Sequence, residues 1–357
     1  MVTEQAVMEA LKKVEDPELH RDVVSLGMIK DLKVSGGTVS LTLVLTTPAC
    51  PVRAQFESDV RAAVSKIPGV TRVDLATGSQ VRSVRSFDQQ SIPGVRNVVA
   101  VASGKGGVGK TTVSVNLAVA LARDGARVGL MDADIYGPNV PLMMGLDQLP
   151  PMKDGKIVPA ENFGVKVMSM GFLLKSSEAV IWRGPMLHGA VNKFLKEVLW
   201  GELDYLVVDL PPGTGDVQLS LAQVISMSGA LVVTTPQDVA LQDVQRAISM
   251  FEKVKIPILG VVENMSNFVC PHCGKATEIF DRGGGARAAE ALKVPFLGEI
   301  PLVPEVRAGS DSGHPIVLTH PESPAAVALL QASRKLAAQL SILAAREEES
   351  SKVAWKV

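Results

Sequence analysis

A strand-like run, Val98 to Ala102, leads straight into Ser103-Gly104-Lys105-Gly106-Gly107-Val108-Gly109-Lys110-Thr111-Thr112 and then into the helix-forming VSVNLAVALARDG. The segment matches G-x-x-x-x-G-K-[ST] with a strand before it and a helix after it, the context in which that motif carries meaning. Glycines let such a loop wrap a phosphate with successive backbone N–H groups pointing inward, and the helix N-terminus adds its partial positive charge. Lys110 is expected to reach the β and γ phosphates of a nucleotide, and Thr111 to offer its hydroxyl to Mg²⁺. Gly104, Gly106, Gly107, Val108, Gly109 and Thr112 complete the expected cradle.

The same alternation recurs downstream. Strand-like runs at Val128 to Asp132, Val165 to Met168, Tyr205 to Asp209, Leu231 to Thr235, Ile258 to Val262 and Phe296 to Ile300 are separated by helical patterns. That alternation predicts βαβ units in a doubly wound, mostly parallel α/β sheet. The runs VVAVA, YLVVDL, ALVVTT and PILGVV are apolar throughout, as central strands covered on both faces are. Ahead of them lies a different pattern: a helix from Val7 to Val14, a turn at Asp16-Pro17, an alternating strand Val39 to Leu45, a helix from Val52 to Lys66 and a short strand. The chain therefore reads as a small α+β domain over 1–82, a linker over 83–95 with few large apolar residues, the nucleotide domain over 96–345, and a polar tail over 346–357 expected to fray. At 357 residues, two domains suit the length.

Charge narrows the function classes. Lys and Arg number 36 against 37 Asp and Glu, so no global basic field favours nucleic acid or an anionic membrane. The uncharged stretch Val217 to Gln237 is broken by Gln218, Gln223 and Pro236 and reads as a buried helix followed by a strand. The last helical stretch carries Leu329, Leu336, Leu340 and Leu343 on one stripe, and its acidic end favours packing on the sheet over a lipid surface. With only Cys50, Cys270 and Cys273, and an N-terminus rich in early acids, a reducing, cytoplasmic setting is expected.

Two more segments extend the phosphate site. Met131-Asp132-Ala133-Asp134 ends a strand with two acids, and Leu206-Val207-Val208-Asp209-Leu210-Pro211-Pro212-Gly213 reads as Walker B, with Asp209 near Mg²⁺. Lys105 stands inside the loop where a neutral residue is usual, and the segments together resemble the deviant-Walker ATPases that include MinD, ParA, ArsA and the nitrogenase iron protein. The resemblance implies a homodimer in which Lys105 contacts nucleotide across the interface. It further implies that Asp134 orients the attacking water, that the loop after it and Pro-Pro-Gly-Thr-Gly are switches, and that Asn264 reads adenine. Asp132 is expected to be structural or part of the Mg²⁺ surroundings. Asn192-Lys193-Phe194-Leu195 lacks the Asp of the guanine signature, so ATP is favoured over GTP.

Cys270-Pro271-His272-Cys273 sets two sulfurs on one side of a tight turn, suited to one bite of a tetrahedral metal or to a redox disulfide. The pair does not open a helix in a small domain, so a thioredoxin-like use is disfavoured. A metal needs four ligands, and a two-fold axis would supply the second pair, giving a four-thiolate site suited to [4Fe-4S] or Zn²⁺. SGKGGVGKTT, MDADIYGPNVP, WRGPM, DLPPGTGD, VENMS and CPHCG occur in the order found in the Mrp/ApbC iron-sulfur cluster carriers, which the chain resembles over nearly all of 95 to 320. Asn139 departs from the Ser expected there. DPEL, LGMIK and LTTPACPVR resemble the small domain of metal-sulfur cluster assembly proteins, in which Cys50 falls at a candidate cluster contact, though a buried or capping thiol is the favoured reading.

The resemblance implies an ATPase that carries a [4Fe-4S] cluster between two protomers and hands it from a donor to apo iron-sulfur proteins, engaging neither nucleic acid nor membrane. Two alternatives stand beside it. One is a positioning switch of the MinD or ParA kind with structural zinc at the cysteines. The other is a binding module whose phosphate site is vestigial.

Overall fold

The computed structural model describes residues 2–84, 92–135, 137–148, 150–172, 184–270 and 272–354. Linker residues 85–91, Tyr136 of the DADIYGP loop, Trp182 and Arg183 of WRGPM, and Pro271 lie outside the described residues. Contacts divide the chain into two compact units, 1–84 with 337–357, and 85–336.

In the smaller unit, α1 (Glu4–Leu11) opens on Thr3, whose hydroxyl accepts the Ala6 N–H at 3.2 Å and so satisfies one free donor of the first turn. A hairpin follows, β1 (Ile29–Ser35) and β2 (Thr38–Leu45), then α2 (Arg53–Ser65) and β3 (Arg72–Ser79). The sheet order is β1-β2-β3, antiparallel across the hairpin and parallel between β2 and β3, a parallel pairing that needs a crossover such as α2. Alternation along β2 buries Val39, Leu41, Leu43 and Leu45 in one core with Val7 and Leu11 of α1 and Phe56, Val60 and Val64 of α2. Each such side chain contributes about 1.5–3 kcal/mol when fully buried, enough to fix the strand register.

The larger unit is built on β4 (Val95–Ala102), α3 (Lys110–Arg123), β5 (Val128–Asp132), α4 (Val140–Met143), β6 (Ala160–Asn162), β7 (Val165–Ser169), α5 (Gly184–Glu197), β8 (Leu203–Asp209), α6 (Asp216–Val224), β9 (Gly229–Thr234), α7 (Asp238–Lys253), β10 (Ile258–Val269), β11 (Ala276–Thr277), α8 (Gly284–Ala291), β12 (Phe296–Leu302), α9 (Pro304–Ser312) and α10 (Ile316–Thr319). Its sheet runs β6-β7-β5-β8-β4-β9-β10-β11, with β12 on β10. Pairings are parallel except at β6 and β11. Every residue of β5, β8 and β9 is buried, as strands covered on both faces must be. The expected doubly wound architecture is therefore the one observed, and its parallel strands bring several C-terminal ends to one edge, where open α/β sheets take ligands.

The last helix, α11 (Pro324–Ala354), differs from the sequence reading. Its early turns, to Leu336, count with the larger unit, burying Leu329 and Leu336 and pairing Arg334 with Asp124 at 2.7 and 3.0 Å. Its remainder counts with the smaller unit, where Glu348 and Glu349 pair Arg82 and Arg21. The polar stretch from Arg346 thus continues as helix to Ala354, its acids held by partners far away in sequence. Among the described residues no helix is long and apolar enough to cross a membrane.

Candidate functional site

The loop after β4 closes at Gly109, which caps α3 with φ +80°. A side chain there would be strained by the left-handed backbone, and its Cβ would run into the Asn264 amide. Asn264, at the sheet edge on β10, donates from Nδ2 to the Val108 carbonyl at 2.9 Å and so fastens β10 to the loop. Ser103 closes the other side, its hydroxyl donating to the Lys105 carbonyl at 2.9 Å.

Beneath the loop lies a dense polar cluster. Asp209, at the end of β8 and fully buried, accepts from the Lys110 ammonium at 2.7 Å, the Thr111 hydroxyl at 2.7 Å and the Ser114 hydroxyl at 2.6 Å. Three donors compensate what would otherwise be a costly buried charge. Asp134 lies 3.5 Å from the same ammonium. Asp132, at the end of β5, is engaged differently: its carboxylate accepts from the Ser169 hydroxyl at 2.8 Å and from the backbone N–H groups of Asp134 and Val140 at 3.1 and 3.3 Å. Burial first, then the neighbouring Asp209 charge, raises its pKa. Asp132 thus holds the β5–α4 loop in shape.

Over this cluster opens a cavity of about 700 Å³. Of the residues singled out by the motif, Gly106, Gly107, Gly109, Lys110, Thr111, Thr112, Asp134 and Asn264 line it. Gly104 instead packs against the backbone of Asp243, Val108 is buried behind its bonded carbonyl, and Asp209 sits below. Lys105 is half-buried and makes no ion pair among the described residues. Sequence reasoning missed Ser114, one turn beyond Lys110, and the far wall, formed by Pro301 and Leu302 of β12 with Val306, Arg307 and Asp311 of α9. The available signal was positional, since the C-terminal end of any further parallel strand belongs to this edge. The donor set suits a nucleoside triphosphate with Mg²⁺: loop N–H groups at a helix N-terminus, one ammonium, and a hydroxyl against a buried carboxylate.

The cysteine pair follows β10. Cys270 donates its N–H to the Lys275 carbonyl at 3.1 Å and accepts the Gly274 N–H at 2.8 Å, closing a knuckle that β11 extends by pairing with Phe268 and Val269. The backbone N–H groups of His272 and Cys273, then the Cys273 thiol, donate to the Cys270 sulfur and hold its thiol below the usual range. Cys270 is partly exposed and Cys273 exposed. Among the described residues no three His, Cys, Asp or Glu side chains gather to hold a metal, so the pair offers two ligands of its own. In the smaller unit Cys50 packs against the apolar core, and burial pushes its thiol up to about 11.

Comparison with known proteins matches residues 94–337 to the family described as NUBPL iron-transfer P-loop NTPase and residues 4–75 to iron-sulfur cluster assembly protein. The chain is 55% identical to the iron-sulfur cluster carrier protein of Deinococcus radiodurans over 94% of its own length and 95% of the relative's. It is 49% identical to the protein of that name from Synechocystis sp., over 96% and 99%. Among solved structures it is similar to a nucleotide-binding protein from Archaeoglobus fulgidus in complex with ADP, with a TM-score of 0.57 and 41% identity, covering 62% of this chain and 88% of that one.

Proposed function

Because the chain belongs to the NUBPL iron-transfer P-loop NTPases, with an iron-sulfur cluster assembly domain ahead of the NTPase domain, we propose that it is an ATP-hydrolysing carrier of [4Fe-4S] clusters. The observation that carries this reading is the presence in one domain of a nucleotide-sized cavity and a pair of thiols, Cys270 partly exposed and Cys273 exposed. The names of relatives matched over almost the whole chain support it.

In this reading Lys110 leaves part of its contact with Asp209 to reach the β and γ phosphates, and the loop N–H groups hold the phosphate oxygens. Thr111 and Asp209 would hold Mg²⁺, which when bound neutralises phosphate charge. Asp134 orients the attacking water, Asn264 reads the adenine, and Lys105 of each protomer reaches the nucleotide of the other. The cluster is cargo. Cys270 and Cys273 of two protomers supply four thiolates, since one chain supplies two, and recipients are apo iron-sulfur proteins loaded in turn by a donor.

The test is anaerobic purification with iron, sulfide and zinc analysis, a visible spectrum and ATP turnover, comparing wild type with a Cys270→Ala, Cys273→Ala variant. About four iron and four sulfide per dimer are expected, lost in the variant. Stoichiometric zinc without sulfide would overturn the carrier reading and leave a nucleotide switch with a structural metal.

A further inference from the structure

Glu263 and Asn264 are consecutive on β10 and serve opposite sides of it. Asn264 lines the nucleotide cavity and holds the Val108 carbonyl of the phosphate loop. Glu263, fully buried, accepts the Gly283 N–H on Oε1 at 3.0 Å and the Gly285 N–H on Oε2 at 2.6 Å. Those two donors open α8, at the end of the excursion that carries Cys270 and Cys273. β10 runs on from Asn264 to Val269, where the excursion leaves it, and the far end of the excursion is tied back to Glu263. Next to Asn264, Met265 has φ +58°, and the register with β12 shifts between Asn264 and Phe268. Backbone in this left-handed region is uncommon for a methionine and marks where the strand bends toward the thiols. Arg282 adds a second tie, to Glu299, the β12 residue paired with Glu263.

A buried carboxylate with both oxygens on a helix N-terminus is a strong, directional fastening. We propose that Glu263 is a positioning residue coupling the nucleotide cavity to the thiol pair. A nucleotide entering the cavity meets Asn264, and whatever displacement this gives β10 reaches the start of the cysteine excursion along the strand and its end through Glu263. The inference rests on the thiol pair being the cluster site, and it makes β10 the element that tells that site whether nucleotide is bound.

The experiment uses the full-length, metal-free protein under reduction and follows iodoacetamide alkylation by peptide mass spectrometry, which separates Cys270 and Cys273 from Cys50. Rates are taken with and without saturating ATP and Mg²⁺, after the nucleotide Kd of each variant has been measured. In wild type nucleotide is expected to change the rate by about fivefold, the low end of ordinary coupling between sites. In Glu263→Gln one acceptor becomes a donor facing an N–H, and the ratio is expected to fall to about one while nucleotide still binds. A merely structural loss would raise both rates together and leave their ratio unchanged. Gly285→Ala gives an independent disruption, since its Cβ would stand 2.9 Å from the Glu263 Cβ, and it decides the matter where Glu263→Gln fails to fold. A wild-type rate indifferent to nucleotide, or variants that keep the wild-type ratio, would overturn the proposal. Neither result touches the iron and sulfide content on which the carrier reading stands.

Discussion

Replacing Asp209 by Ala should destabilise the larger unit far more than losing one carboxylate suggests. Asp209 is fully buried and Lys110 is 6% exposed, so the variant strands an ammonium away from water. Breaking a buried pair this way costs about 3–5 kcal/mol. Asp134, 3.5 Å from the same ammonium, keeps the loss near the lower end. Thr111 loses its partner as well, about 1 kcal/mol, whereas Ser114 still has the Lys110 carbonyl at 3.0 Å. The sum is about 4 kcal/mol, and with an m-value of about 3 kcal/mol/M the urea midpoint should fall by about 1.3 M. Circular dichroism, with hydrogen exchange in β8 to isolate this unit, reads the shift. Adding Lys110→Met removes the stranded charge, and the double variant should recover about 2 kcal/mol. A midpoint shift below about 0.3 M, or strictly additive single and double variants, would refute the view that Asp209 is held by compensation rather than by solvent.

Gly109→Ala places a Cβ against the Asn264 amide in backbone that costs about 1–2 kcal/mol for any other residue, so ATP affinity by calorimetry should fall by about tenfold or more. In the smaller unit, burial followed by the Asp16 charge pushes the Glu18 carboxyl up to about 7. Because this folded value exceeds the unfolded one of about 4.3, folding favours the protonated acid. Stability is then lost as pH rises through that interval. Glu18→Gln should therefore leave stability unchanged at pH 4 and raise it by about 1–2 kcal/mol at pH 8, a figure discounted for partial exposure. Hydrogen exchange in β2 measures it, and equal stabilities at both pH values would contradict the assignment.

Much of the architecture was legible because it is local. VVAVA, YLVVDL and ALVVTT are too apolar for anything but covered strands, and a strand, a glycine loop and a helix in succession demand a parallel sheet behind them. Alternation in β2 was readable for the same reason, since period two names the buried face. The hairpin partner β1 was not, because none of its residues is buried, most are exposed, and they carry little apolar signal. The far wall of the nucleotide cavity escaped notice because Pro301, Arg307 and Asp311 match no motif; they matter through where β12 ends. The polar tail read as frayed because Glu348 and Glu349 find their partners at Arg82 and Arg21, which no local pattern reveals.

By itself, then, the chain's order of residues determined most of the elements, the phosphate loop and the pair of thiols, all properties of neighbours a few residues apart. Tertiary structure decided which acid lies under Lys110, that Ser114 shares it across 95 positions, and that Glu263 holds the start of α8. Those relations depend on strand order and register. They are set by the burial of whole faces and the pairing of every enclosed polar group, not by the conformational preference of any one segment.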